Sequence, residues 1–343
     1  MIKWKISNKK ANSNFQFLIL LPVQIIILFT FTACATSQNF TITEGILYNR
    51  IQFASKDDGI LLLARKDDFL KKFSSFDSTA RFGTSELPDF EKRKEIFKKA
   101  VIKWTEFEMN KMNKALYLIN SKMKNMKLPF PEEIILIRTN GKDESNAPYT
   151  RMNCIIVPNS LIQKNMEDLE EIIIHEMFHI ISRYNAELKN ELYKIIGFHK
   201  CKELIFPEDS KDLKLTNPDA PLLNHYIELP YYDDTLAFVP ITYAKTKFDK
   251  QQPNFFKYVK ARLIAVKVNR KETVPIMEKG DTIIINQYEY EPFFDKVGKN
   301  TRYIIHPEEI IADNFVLMIK NVQFLQSPDI VEKMREVFAK YID

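Results

Sequence analysis

The 343-residue chain is 45% hydrophobic and 28% charged, with 50 Lys and Arg against 45 Asp and Glu for a formal charge of +5. That length allows a substantial core, in one large or two small domains. Three cysteines exclude a disulfide scaffold, and the interspersed charges exclude a basic nucleic-acid-binding surface.

Lys3, Lys5, Lys9 and Lys10 precede an apolar stretch over 15–33, and no acidic residue comes before Cys34. This is the charged n-region and apolar h-region of an export signal. The stretch is also near the lower length limit of a membrane span, so a single-pass anchor is an alternative. Phe31-Thr32-Ala33-Cys34 followed by Ala35-Thr36-Ser37 resembles a bacterial lipoprotein box, with Phe31 where leucine is usual. The resemblance implies a signal peptide over 1–33, lipidation of Cys34 and a membrane partner through that lipid anchor in the bacterial cell envelope. Lipoprotein, secreted protein and single-pass protein all place the remaining chain outside the cytoplasm. Without the four leader lysines the charge is +1 (5 − 4), which again argues against nucleic acid as a partner.

Residues 34–130 read as a mainly helical region. Asp67-Asp68-Phe69-Leu70 and the segment up to Phe82 suggest short helices. A long helical pattern opens at Pro88 and Asp89, with Phe90, Phe97, Val101, Trp104, Phe107, Met112, Leu116 and Ile119 as a core stripe, and ends at Pro129 and Pro131. Ile134-Ile135-Leu136-Ile137 reads as a buried strand, Asn140-Gly141-Lys142-Asp143 as a turn, and 149–157 as a strand stopped by Pro158.

Residues 175–179 read His175-Glu176-Met177-Phe178-His179, an HExxH pattern within an apolar run over 166–183 that carries Glu167 and Asp168 in its first turn. Residues four apart share a helix face, so both imidazoles can reach one metal ion, with Glu176 beside it. Zinc on neutral nitrogens lowers the pKa of its water to near 7, and a neighbouring carboxylate can move that proton to a leaving amine. The pentapeptide therefore supplies two ligands and a base. A catalytic zinc normally has a third protein ligand. The metzincin continuation HExxHxxGxxH fails, because Ser182 and Asn185 stand at its glycine and third histidine.

Glu187, Glu191, His199 and Glu203 follow closely, Glu187 and Glu191 on an amphipathic helix over 186–196 and His199 after Gly197; His199 is kept as the reserve ligand. Loop chemistry at Asn217-Pro218-Asp219-Ala220-Pro221 precedes strand patterns over 236–242, 258–268 and 282–286. Further on, Pro307 opens a helix with Glu308 and Glu309 in its first turn and an apolar stripe of Ile310, Ile311 and Phe315.

Glu309-Ile310-Ile311-Ala312-Asp313-Asn314 after HEMFH resembles the gluzincins, zinc peptidases with a downstream ExxxD helix, in the neprilysin-type form ExxAD-Asn. The resemblance implies zinc held by His175, His179 and Glu309, with Glu176 as general base and Asp313 orienting His175. It implies an α+β, zincin-like metallopeptidase fold over 131–343, and the strand patterns between the two zinc-binding helices read as a β-rich insertion at about 225–290. The substrate would be a peptide or protein. In zincins the strand before the HExxH helix often forms the cleft edge, so 149–157 is either that edge or an interior strand. Glu309 lies 130 positions after His179 (309 − 179), well beyond the family's usual spacing. His225, Tyr226, Tyr243, Tyr288 and Tyr303 are candidates for stabilising an oxyanion. The rival reading is a non-catalytic surface or periplasmic binding lipoprotein that keeps the zincin fold. Cys154 and Cys201 either pair or remain thiols.

Overall fold

The computed structural model describes residue 42 and residues 44–341. The leader over 1–33 and the lipidation residue Cys34 lie outside the described residues. The architecture is mixed α+β, with a curled sheet. Strand β1 (Ile51–Phe53) is followed by α1 (Lys56–Ala64), α2 (Asp68–Lys71), α3 (Ser75–Phe82), α4 (Phe90–Ala100) and α5 (Glu106–Met123). Each helix starts where a short polar side chain accepts a backbone N–H that the helix leaves free: Ser55, Asp67, Ser74, Asp89 and Thr105 respectively.

The single long helix expected after Pro88 is two helices. Val101 is extended and bridges Thr139, Ile102 N donates to Arg138 O, and Trp104 Nε1 donates to Leu136 O. The chain leaves the helix to lie along the sheet, and a capping box of Thr105 and Glu108 restarts it. Phe97, Val101, Met112, Leu116 and Ile119 are buried, but Phe107 is 76% exposed, so the expected stripe is not all core.

The first sheet has the order β1-β2-β4-β3, where β2 is Ile134–Arg138, β3 Tyr149–Arg151 and β4 Cys154–Val157. β1, β2 and β4 run parallel and β3 returns antiparallel. The segment expected as one strand over 149–157 is thus a hairpin, turning at Met152 with φ of 52°. After the short helix α6 (Asn159–Ile162) come α7 (Met166–Tyr184) and α8 (Ala186–Ile195).

The second sheet is antiparallel, with β5 (Phe198–Lys200), β6 (His225–Tyr231), β7 (Asp234–Ala244), β8 (Val259–Val268) and β9 (Thr273–Pro275), beside a small ribbon of β10 (Met277–Glu278) and β11 (Asp281–Thr282). β12 (Ile284–Ile285) closes its other edge on β8. Helices α9 (Glu291–Val297), α10 (Pro307–Ile319) and α11 (Pro328–Ala339) follow.

Ile227, Leu229, Phe238, Leu263 and Ala265 of this sheet share one buried cluster with Phe178 of α7 and Phe315 of α10. The long connection therefore folds back onto the helices. α7 sits centrally, against α5, α8, α10, β3 and β4. Phe315 is wedged between Phe178 and Phe338, with ring centroids 5.5 Å from each. No helix among the described residues is long and apolar enough to cross a membrane.

Candidate metal centre

α7 forms as its sequence directs. Asn165 Oδ1 accepts the N–H of Asp168 at 2.9 Å, acids occupy the first turn, and Asn185 ends the helix. His175 and His179 lie on one face, their rings edge to face with centroids 4.7 Å apart. α10 has Pro307 at its first position and His306 as its cap, the Nδ1 accepting from Glu308 N at 3.1 Å. The packing of α10 on α7 brings Glu309 to the two histidines.

Glu309 Oε2 is 3.1 Å from His175 Nε2 and 3.5 Å from His179 Nε2, and the three donor atoms lie within 4.8 Å of one another. Tetrahedral zinc ligands at about 2.0–2.2 Å from the metal are about 3.4 Å from each other, so these separations suit one ion. The far nitrogens are also held. His175 Nδ1 is 2.9 Å from Asp313 Oδ1, and His179 Nδ1 is 3.0 Å from Glu308 Oε1. Both rings therefore turn Nε2 toward Glu309. Thr301 Oγ1 donates to Asp313 in turn, while Ser182 Oγ (2.7 Å) and the Tyr193 hydroxyl donate to Glu308.

Without a metal these contacts are ion pairs. Burial lowers the His175 imidazole, but hydrogen bonds to Asp313 and Glu309 outweigh it and raise the group to about 10. His179 is raised well above its ordinary value, because Asp219, Glu309 and Glu308 outweigh burial. Glu309 is held well below the carboxylate range, burial being overcome by the two imidazoles. Five carboxylates, those of Glu176, Asp219, Glu308, Glu309 and Asp313, converge on two imidazoles, an excess of negative charge that suits a divalent cation.

Glu176 is 4% exposed, and its Oε2 is buried without a hydrogen-bond partner. Burial, with Asp219 second, pushes its carboxyl up to about 8. An orphaned buried carboxylate oxygen beside an N, N, O donor set fits a water or ion held between them. Compared with protein-family models, curated proteins and solved structures, the chain matches none.

The other sequence candidates separate by place. Tyr303 is half-buried, with its ring 6.2 Å from that of His175 and tilted by 33°. Burial, then the charges of Glu309, Asp219, Asp313 and Glu176, keep its hydroxyl protonated far above the ordinary value. His225 packs on Tyr193, Tyr226 on the exposed His199, and Tyr243 in a separate cluster of the second sheet. His199 is on β5 and is not among the residues grouped around Glu309. Cys154 and Cys201 are free thiols, and burial pushes Cys154 up to about 12.

Three participants were not read from the sequence. Glu308 looked like the first-turn acid of α10; Ser182, on the histidine face one turn past His179, was the available hint of a second carboxylate. Asn217 and Asp219 looked like loop chemistry. Asn217 Nδ2 donates to Glu309 Oε1 at 2.5 Å, and Asp219 groups with His179 and Glu176, ligand atoms within 4.8 Å. No spacing in the sequence connects a loop residue to a helix packed from elsewhere.

Proposed function

We propose that the chain is a zinc-dependent peptidase of gluzincin type. The observation that carries this reading is the convergence of Glu309 on the two histidines of HEMFH, across 130 positions, with both imidazoles backed by carboxylates.

His175, His179 and Glu309 would hold zinc, which supplies Lewis acidity toward a peptide carbonyl and lowers the pKa of a water. Asp313 and Glu308 accept from the two Nδ1–H groups and so fix the tautomers that present Nε2. Glu176 accepts the proton of the attacking water and delivers it to the leaving amine, a role suited to a buried carboxylate with an unpartnered oxygen. Tyr303, whose ring lies near that of His175 and whose hydroxyl stays protonated, would be the phenol that donates to the oxyanion. The fold is read as zincin-like, and the protein as anchored in the bacterial envelope through Cys34 with peptides or proteins as substrates.

Hydrolysis of a mixed peptide pool by the soluble form starting after Cys34, beside Glu176→Gln, tests the reading. The variant keeps zinc and loses about 10²–10⁴-fold in rate. Measurable hydrolysis by the parent, matched by Glu176→Gln, would refute the assignment of Glu176.

A further inference from the structure

The segment 217–222 crosses the candidate centre without regular secondary structure. It is tied down at its start and in the middle by side chains. At its start, Thr216 N and Oγ1 donate to Asp77 of α3. Asn217 Nδ2 donates to Glu309, and the Asn217 Oδ1 accepts from Asp219 N at 3.0 Å. Asp219 Oδ1 accepts from both Thr150 N and Thr150 Oγ1 at 2.7 Å. Arg183 reaches the carbonyls of Pro218 and Asp219 at 3.4 Å.

Two consequences follow from that path. In the β3–β4 hairpin, Thr150 pairs with Ile155 and turns its own N–H and C=O outward, along the free edge of the sheet. Those are the groups an extended peptide would need for strand addition. Asp219 holds the N–H, and Arg183 Nη2 lies 3.5 Å from the C=O. The edge is covered by the chain itself.

The second consequence concerns the metal. Thr150 takes Oδ1 of Asp219, and the carboxylate lies within 4.8 Å of ligand atoms of His179 and Glu176. Glu176, with its unpartnered Oε2, belongs to that group, whereas His175 and Glu309 do not, so Asp219 flanks the three-ligand set on its Glu176 side.

We infer that residues 217–222 are an internal strap that keeps the substrate edge covered, and the Glu176 side of the metal site shielded by Asp219, until the strap is displaced. This rests on the zinc-site reading above. The strap is built to move: among the described residues no backbone–backbone hydrogen bond joins 217–222 to the rest of the fold. Pro218–Leu222 also line a cavity of about 220 Å³ rather than a packed core. Displacement costs the side-chain contacts at Glu309, Thr150 and Arg183 and leaves the helices in place.

The test uses the soluble chain loaded with Co²⁺ in place of zinc, with acetohydroxamate as a small chelating probe. The parent's visible spectrum should be unmoved by the probe, Asp219→Ala should shift, and Asp219→Asn should follow the parent. Asn retains an oxygen for Thr150, so its response separates the anchoring of the strap from the charge of Asp219. By competition with a chromophoric chelator, parent and variants should bind zinc with similar affinity, because the three ligands are unchanged. Equal probe access in the parent and Asp219→Ala would overturn the strap inference alone. Failure of the parent to bind either metal would overturn the zinc-site reading beneath it.

Discussion

Glu308 shows how one side chain can govern a ligand it does not replace. It is 2% exposed, and it accepts from His179, Ser182 and Tyr193 together. Glu308→Gln retains the shape but puts an amide against three donors, so His179 loses its fixed tautomer. Zinc affinity should fall about 10–100-fold, measured by chelator competition, while His175 keeps its tie to Asp313. His225 carries a different consequence. It is buried, and burial followed by the charges of His306 and Lys189 lowers it to about 3. A neutral ring donates from one nitrogen only, so one of its partners, Asn190 or Asn224, must present its NH₂. In the unfolded chain the group titrates near ~6.5. Its contribution to stability is therefore complete above that value and fades as pH falls toward 3; His306, lowered to about 4, acts in the same direction. His175, raised to about 10, acts oppositely: its contribution is complete below ~6.5 and fades as pH rises toward 10. The urea midpoint of the metal-free protein should peak near neutrality, and His225→Gln should flatten the acid side.

At the scale of elements, the helices that carry the site owe their positions to local signals and their contact to packing. Phe315, two residues beyond Asp313, is fully buried between Phe178 and Phe338. Phe315→Ala should destabilise the metal-free chain by about 3–5 kcal/mol in urea denaturation. Thr105→Ala, which removes the cap of α5, should cost about 1 kcal/mol by the same measurement. These cases also show what a sequence can disclose. α7 and α10 were legible because acids, proline and an apolar face agree on where each begins. The break at Val101 was not, because Arg138 and Thr139 impose it from another strand. The hairpin at Met152 was hidden because a non-glycine residue takes the left-handed turn conformation. β6 buries His225, Ile227 and Leu229 in strict alternation, but Pro230 within it obscured that period. Of the site, His175, Glu176 and His179 could be named from the HExxH spacing, and Glu309 and Asp313 from the resemblance of their helix to the gluzincin motif. Glu308, Asn217 and Asp219 emerge only once α10 and a loop meet α7.

For the whole molecule, the proposed ion would join two helices far apart in sequence. An ion bound by the folded state alone stabilises it by RT ln(1 + [L]/Kd), about 4 kcal/mol at a thousandfold excess over Kd. Zinc should accordingly raise the melting temperature and a chelator should lower it. With zinc bound as proposed, both imidazoles would be ligands, so the alkaline fading from His175 should disappear. The most direct measurement is zinc content per chain after gel filtration, for the parent and for Glu309→Ala. A metal held by His175, His179 and Glu309 gives about one zinc in the parent and loss of it in the variant. A parent without zinc, or a variant that retains it undiminished, would rule that centre out.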